Sequence, residues 1–150
     1  MSGAGLIYDF SGLKSLEARM ARLSRLKKTD LLDIVGAKVE SQTRRRIQDE
    51  KESPEGVAWP AWSDRYAARR PEGATLLMGE DHMLDSITFL AVDQNSIEVG
   101  SNMIYAATQH YGDKDRSIPA RAFLGLSEAN ETELVRDIDN YLDSVMRRKQ

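Results

Sequence analysis

Cysteine is absent from the 150 residues, so disulfides and thiolate metal sites are excluded and the fold has to be held by packing and polar contacts. Histidine occurs only at His82 and His110, 28 positions apart and without HExxH-type spacing, which leaves no recognisable metal-ligand set. The ten glycines never gather into a GxGxxG or GxxxxGK run, so no phosphate cradle is expected. No apolar run approaches the ~20 residues of a membrane span. The opening "MSGAGLIYDF" also lacks the charged and then apolar layout of a signal peptide, so we expect a soluble chain made inside the cell, with no membrane partner. Nucleophile chemistry finds no motif either: "GLSEA" at 125–129 lacks the second glycine of a nucleophile elbow, and Ser127 reads as a turn or helix-start residue. The adjacent carboxylates Glu80 and Asp81 read as a solvated turn rather than an acid-base pair. No catalytic residue, metal or cofactor is expected.

Charge is present in both signs but unevenly placed. The 21 basic and 24 acidic residues give a net of −3, no general reason to bind nucleic acid. From Lys14 to Lys51, however, 11 basic residues face 6 acidic ones, a surplus of +5. From Glu72 to Asp143, 4 basic residues face 14 acidic ones, a surplus of −10. Two readings fit: ordinary solvated faces, or a basic face of one copy meeting an acidic face of the next.

With 150 residues we expect one domain that buries roughly 70% of the surface its unfolded chain exposes. Leu6, Tyr8 and Phe10 alternate as a strand would, and Ser11 offers an N-cap to a helix with a stripe at Leu13, Leu16, Met20, Leu23 and Leu26. Thr29 reads as the N-cap of a second helix carrying Leu31, Leu32, Val35, Val39 and Ile47, which makes residues 11–51 helical. Residues 52–75 read as a loop, because Pro54, Gly56 and "WPAW" break regular structure, with a short helical piece near Ser63 to Arg70. "DSITFLAV" and "SIEVG" predict a hairpin across Asp93, Gln94 and Asn95. In the first of these, Ile87 and Phe89 share one face and Leu90 and Val92 the other, which predicts a strand covered on both sides, inside the sheet or under a partner. "MIYAATQHYG" suits a short helix stopped by Gly112. "IPARAFLGL" suits an edge strand or extended arm, so residues 84–127 hold sheet and arm. A last helix over 130–148 has Asn130 as N-cap, Glu133 as its capping-box partner, and a stripe at Leu134, Ile138, Tyr141, Leu142 and Val145. The fold class expected is α+β, a small antiparallel sheet of three or four strands around a central hairpin, packed against two N-terminal helices and one C-terminal helix.

Residues suited to interfaces cluster in two loops. Trp59 and Trp62 would anchor the first. Tyr105, His110, Tyr111, Pro119, Arg121 and Phe123 lie in the second stretch, where Phe123 reads as a buried anchor and Arg121 as facing a partner or a carboxylate. Arg44, Arg45 and Arg46 form the one short basic cluster, read as an exposed helix face, an intermolecular salt-bridge patch, or a phosphate contact.

The order "GVAWPAW", "LLMGEDHMLDSI", "IEVGS", "YAATQHYG" and "IPARAFLGLS" resembles the phage virion morphogenesis proteins, the tail-completion type of Mu-like and P2-like phages. The resemblance covers Gly56 to Ser127. "TQHYG" stands where a His-Gln-aromatic-Gly order is more usual, and Ala122 where a second proline is common. It implies a structural virion protein, made in the bacterial host cytoplasm, that completes the head-proximal end of the tail and enables head-tail joining. The implied partners are further copies in a ring, expected as a hexamer, the tail tube protein, head-tail connector or neck proteins, and a sheath protein where the tail contracts. DNA would only pass through the lumen. A capsid-side head-completion role, a nucleic-acid-binding protein using Arg44 to Arg46, and an enzyme are the competing readings.

Overall fold

Strand β1 (Ala4–Asp9), helix α1 (Lys28–Arg45), a π-helical turn (Arg46–Glu50), the short helices α2 (Asp64–Ala67) and α3 (Met83–Ser86), strands β2 (Ile87–Ala91) and β3 (Ser96–Ser101), helix α4 (Ala106–Tyr111) and helix α5 (Glu128–Arg147) follow one another in the computed structural model. It describes residues 3–9, 27–78 and 82–148. Phe10, the helix expected from Ser11 through Leu26, and the Glu80–Asp81 pair lie outside the described residues.

The fold is α+β, a three-stranded antiparallel sheet packed with long helices from both halves of the chain, in strand order β1-β3-β2. The hairpin forms as its sequence predicts. Asp93 closes the turn by accepting from the Asn95 N–H at 2.7 Å and the Ser96 hydroxyl at 3.1 Å, which fixes the register. Leu6, Val99 and Phe89 then align in one row, and Tyr8, Ile97 and Ala91 in the next, on the face toward α1. The covered strand is nevertheless β3, where Ile97 and Val99 are wholly buried, and not β2. Because β1 pairs on the far side of β3, β2 becomes an edge, and its outward Leu90 and Val92 are 41% and 47% exposed.

Helix α1 lies across the inner sheet face with Leu31, Leu32, Val35 and Val39 buried, the predicted stripe. Gly36 lets it approach closely: a Cβ there would stand 2.2 Å from the Phe89 ring. A mid-helix glycine costs about 1 kcal/mol in propensity, and close packing on Phe89 offsets it. The expected N-cap moves. Lys27 is the capping position and Thr29 already lies inside the first turn, since the Lys27 carbonyl accepts from the N–H of Asp30 at 3.1 Å. No side chain caps this end, and Asp30 in the first turn opposes the helix dipole instead.

Helix α5 packs on α1 through Leu134, Ile138 and Leu142. Its cap lies three residues earlier than expected. Ser127, in extended conformation, accepts from the Asn130 N–H, and the Asn130 side chain accepts from the Ser127 N–H, both at 3.1 Å. Asn130 is therefore the returning partner of the capping box, not the cap. Glu133 is freed for α1, where it takes the Gln42 amide at 3.1 Å and Arg45 at 3.1 Å; Lys38 meets Asp137 at 2.8 Å. Part of the charge asymmetry along the sequence thus closes within one chain.

Candidate assembly site

Residues 119–126 run extended beside the sheet without joining it, so their backbone polar groups need partners other than a ladder. Side chains from four segments, and one backbone carbonyl, supply them. Gly112, with φ of 76°, ends α4 and turns the chain back; a Cβ there would stand 2.8 Å from the Ala120 nitrogen and the Ile118 oxygen. The Arg121 N–H then donates to the Gln109 carbonyl at 2.8 Å. Trp59 donates its indole N–H to the Ala122 carbonyl at 3.0 Å. His110 Nδ1 accepts from the N–H groups of Phe123 and Leu124 at 3.3 and 3.4 Å. Tyr8 accepts from the Gly125 N–H at 3.1 Å. Arg46 forks to the carbonyls of Phe123 and Gly125 at 3.0 and 2.9 Å and to the Asn130 side-chain oxygen at 2.6 Å. The wholly buried Phe123 ring, edge-on to His110 at 5.2 Å, supplies the apolar weight.

The electrostatics follow from this enclosure. Burial pulls the His110 pKa below the ordinary histidine value, partly opposed by Glu55. The same neutral form is required by Nδ1, which accepts and cannot carry a proton there. Burial likewise lowers the Arg46 guanidinium, against the pull of Glu50, and raises the Tyr8 phenol. The π turn is what aims Arg46 inward. The Lys51 N–H reaches back to the Arg46 carbonyl at 2.9 Å, and Lys51, in left-handed conformation with φ of 55°, bonds the Ile47 and Leu76 carbonyls through its ammonium group.

Of the expected interface residues, Trp59, His110, Arg46, Arg121 and Phe123 are buried inside the subunit. Arg121 meets neither a carboxylate nor open solvent: it donates to the carbonyls of Pro60 and Ala61 at 2.8 and 3.2 Å, tying the arm to the Trp-Pro loop. Arg46 is 1% exposed and cannot belong to a surface patch. Its neighbours are engaged as well. Arg44 bonds Glu40 at 3.0 Å and the Ile87 carbonyl at 2.7 Å, and Arg45 bonds Glu50 and Glu133, both at 3.1 Å. Tyr105 is half-buried at the start of α4. Trp62 is half-buried; Tyr111, 67% exposed, and Pro119 face outward.

Beside the arm a cavity of about 260 Å³ opens between Trp62, Tyr66, Arg70, Arg116 and Pro119. Trp62 and Tyr66 meet edge to face at 5.7 Å, and the Arg70 guanidinium lies 5.5 and 5.4 Å from their centroids. Arg116 is oriented by Asp113 at 2.6 Å. Sequence reasoning gave Tyr8 and Asn130 only local roles, in a strand and as a helix cap, and missed Arg70 and Arg116, which come together only through folding.

The braced arm on its α+β scaffold carries the residues whose order resembles the virion morphogenesis proteins, and comparison with known proteins agrees. The chain matches the phage virion morphogenesis family over residues 11–143 and belongs to that family. It is 27% identical over 125 residues to a protein of Escherichia phage Mu named for capsid assembly, protein G, covering 76% of this chain and 79% of that one. No solved structure matches it.

Proposed function

We propose that this virion morphogenesis protein completes the head-proximal end of the tail of a tailed phage or prophage, as a ring of identical copies that stops tail growth and receives the head. The reading rests on the family-like arm being locked into its own subunit while apolar groups beside it stay open. Tyr111 at 67% and Ile104 at 86% exposure flank α4, and side chains of this size left in water mark contacts made in assembly. A rigid arm suits a protein that must present the same surface to every neighbour. The ring is a hexamer in this reading, seated on the tail tube protein and meeting neck proteins above, with a sheath protein around it where the tail contracts. DNA passes through a lumen kept free of unpaired basic groups, because each phosphate contact would add affinity. The pairing of Arg44, Arg45 and Arg46 within the subunit fits that requirement.

A capsid-side role is the second reading, favoured by the name of the Mu relative. Electron microscopy of particles made without this protein separates the two. Filled heads beside unjoined tails of abnormal length are expected. Missing or misshapen heads beside normal tails would establish the capsid-side role instead.

A further inference from the structure

We propose that the sheet continues from copy to copy: the open edge of β2 pairs in parallel with the open edge of β1 of a neighbouring copy of this chain, with Ile7 set opposite Leu90. The inference rests on the ring reading above and names the contact that closes the ring. Its first support is the hydrogen-bond alternation of the sheet. The Val92 N–H donates to the Ser96 carbonyl at 3.0 Å, so Val92 pairs inward, and by alternation so do Leu90 and Thr88. Ile87, Phe89 and Ala91 therefore turn their backbone groups away from β3. Ile87 is satisfied there, its N–H by the Leu84 carbonyl and its own carbonyl by Arg44 at 2.7 Å. Phe89 and Ala91 have no such partner among the described residues. Carried across β3, the same alternation turns Gly5 and Ile7 outward from β1, and these too have no partner among the described residues.

The second support is the character of these edges. Strand β2 reads ITFLA in an unbroken register, without a charge, a proline or a bulge, the features that keep sheet edges from taking up further strands. Leu90, Ala91 and Val92 are exposed, and Ile7 on β1 is 61% exposed. The third support is geometric fit. β1 and β2 both run antiparallel to β3 and so parallel to each other, and copies repeated about an axis along the strands lay β1 of one against β2 of the next in the parallel sense. In a parallel pair, a residue whose backbone groups face the partner strand stands opposite one whose groups face away. Ile7 opposite Leu90 meets that condition: the Ile7 N–H reaches the Phe89 carbonyl, and the Ala91 N–H reaches the Ile7 carbonyl. Both side chains then lie on the sheet face away from α1, where they cover each other. Pairing β2 with β2 across a two-fold axis would leave β1 bare, whereas β1 against β2 around a ring leaves no edge at all.

The absence of cysteine makes the test direct. In the full chain carrying Ile7→Cys and Leu90→Cys together, mild oxidation or a short thiol-bridging reagent should join copies into a covalent ladder that ends at the ring size seen by native mass spectrometry. Each single variant should stay unjoined. Leu90→Lys, which places a charge on the exposed edge, should raise the concentration needed for assembly by about tenfold or more and leave the far-ultraviolet circular dichroism unchanged. A double variant that forms the ring but stays unjoined, or a Leu90→Lys chain that assembles as the wild type does, would overturn the paired edges and leave the ring standing. Linked dimers from Leu90→Cys alone would overturn β1 as the occupant, because only a two-fold contact brings two copies of one residue together. A wild-type chain that stays monomeric at every concentration, alone and in particles, would remove the ring itself and this contact with it.

Discussion

Arg44, Arg45 and Arg46 lie side by side in sequence, whereas Arg70, Arg116 and Arg121 lie apart in it, and folding separates the first set while it gathers the second. The contiguous set straddles the junction of α1 with the π turn, where successive residues point in different directions. One arginine goes to the start of β2, one to α5, and one into the core beneath the arm. The dispersed set converges on one cavity. A run of like charge along a helix is therefore no measure of a surface field, because the helical turn separates what the sequence puts together. Folding can equally bring together charge that the sequence keeps apart, as it does for Arg70, Arg116 and Arg121.

Breaking the first set should cost most. Arg46→Met removes a fork that satisfies three buried acceptors, and we expect a loss of about 3 to 5 kcal/mol in urea unfolding, with Arg46→Lys recovering little because an ammonium lacks the planar fork. Phe123→Ala, which empties a fully buried site under the arm, should cost about 3 to 5 kcal/mol in the same measurement. Ser127→Ala, which opens the capping box, should cost about 1 kcal/mol.

The arm also predicts a pH dependence. His110 is neutral in the fold with its pKa held low by burial, while in the unfolded chain it titrates near ~6.5. The unfolded state takes the proton first, so stability that is complete above about pH 6.5 should fall as pH drops through that value toward the folded pKa. Glu133, lowered first by the Gln42 amide, and Asp113, lowered first by Arg116, lose their contributions only near and below about pH 4.5, a separate window. Urea midpoints between pH 7.5 and 5 should decline for the wild type and stay flatter for His110→Gln. A profile identical in both would show that the histidine does not sense the arm. At the small end, Lys38→Ala should cost less than about 1 kcal/mol, as exposed ion pairs do, and Arg116→Ala should leave folding within about 0.5 kcal/mol. If Arg116→Ala instead destabilised as much as Arg46→Met, the contrast between the two arginine sets would collapse.

Much of this fold was legible in the sequence because it is periodic or punctuated. The stripes of α1 and α5, the β-branched hairpin, Gly112 as a helix stop and the short helix after Ser63 all came through. The errors arose where two local patterns compete and only tertiary contacts decide. Ser127 and Asn130 both suit a helix cap, each with a fitting partner three residues on, and Arg46 selects between them by taking the Asn130 side chain. Of the two expectations for β2, the place inside the sheet went to β3, because strand order depends on where β1 pairs, which no property of β2 reveals. The candidate site divided along the same line. Phe123 as a buried anchor was readable from its size and setting, but the outward role expected of Arg121 was not met, because the two loops lie against each other and the Trp-Pro loop offers carbonyls within reach.

An electron cryomicroscopy reconstruction of the assembled particle tests the central claim most directly, since it shows every arginine in its working surroundings. We expect a closed ring of copies at the tail end with Ile104 and Tyr111 covered in its contacts, and with Arg46 still buried against Phe123 and Gly125 of its own chain. A reconstruction with Ile104 and Tyr111 open to solvent, and with Arg44, Arg45 and Arg46 at the junction between copies, would contradict the account.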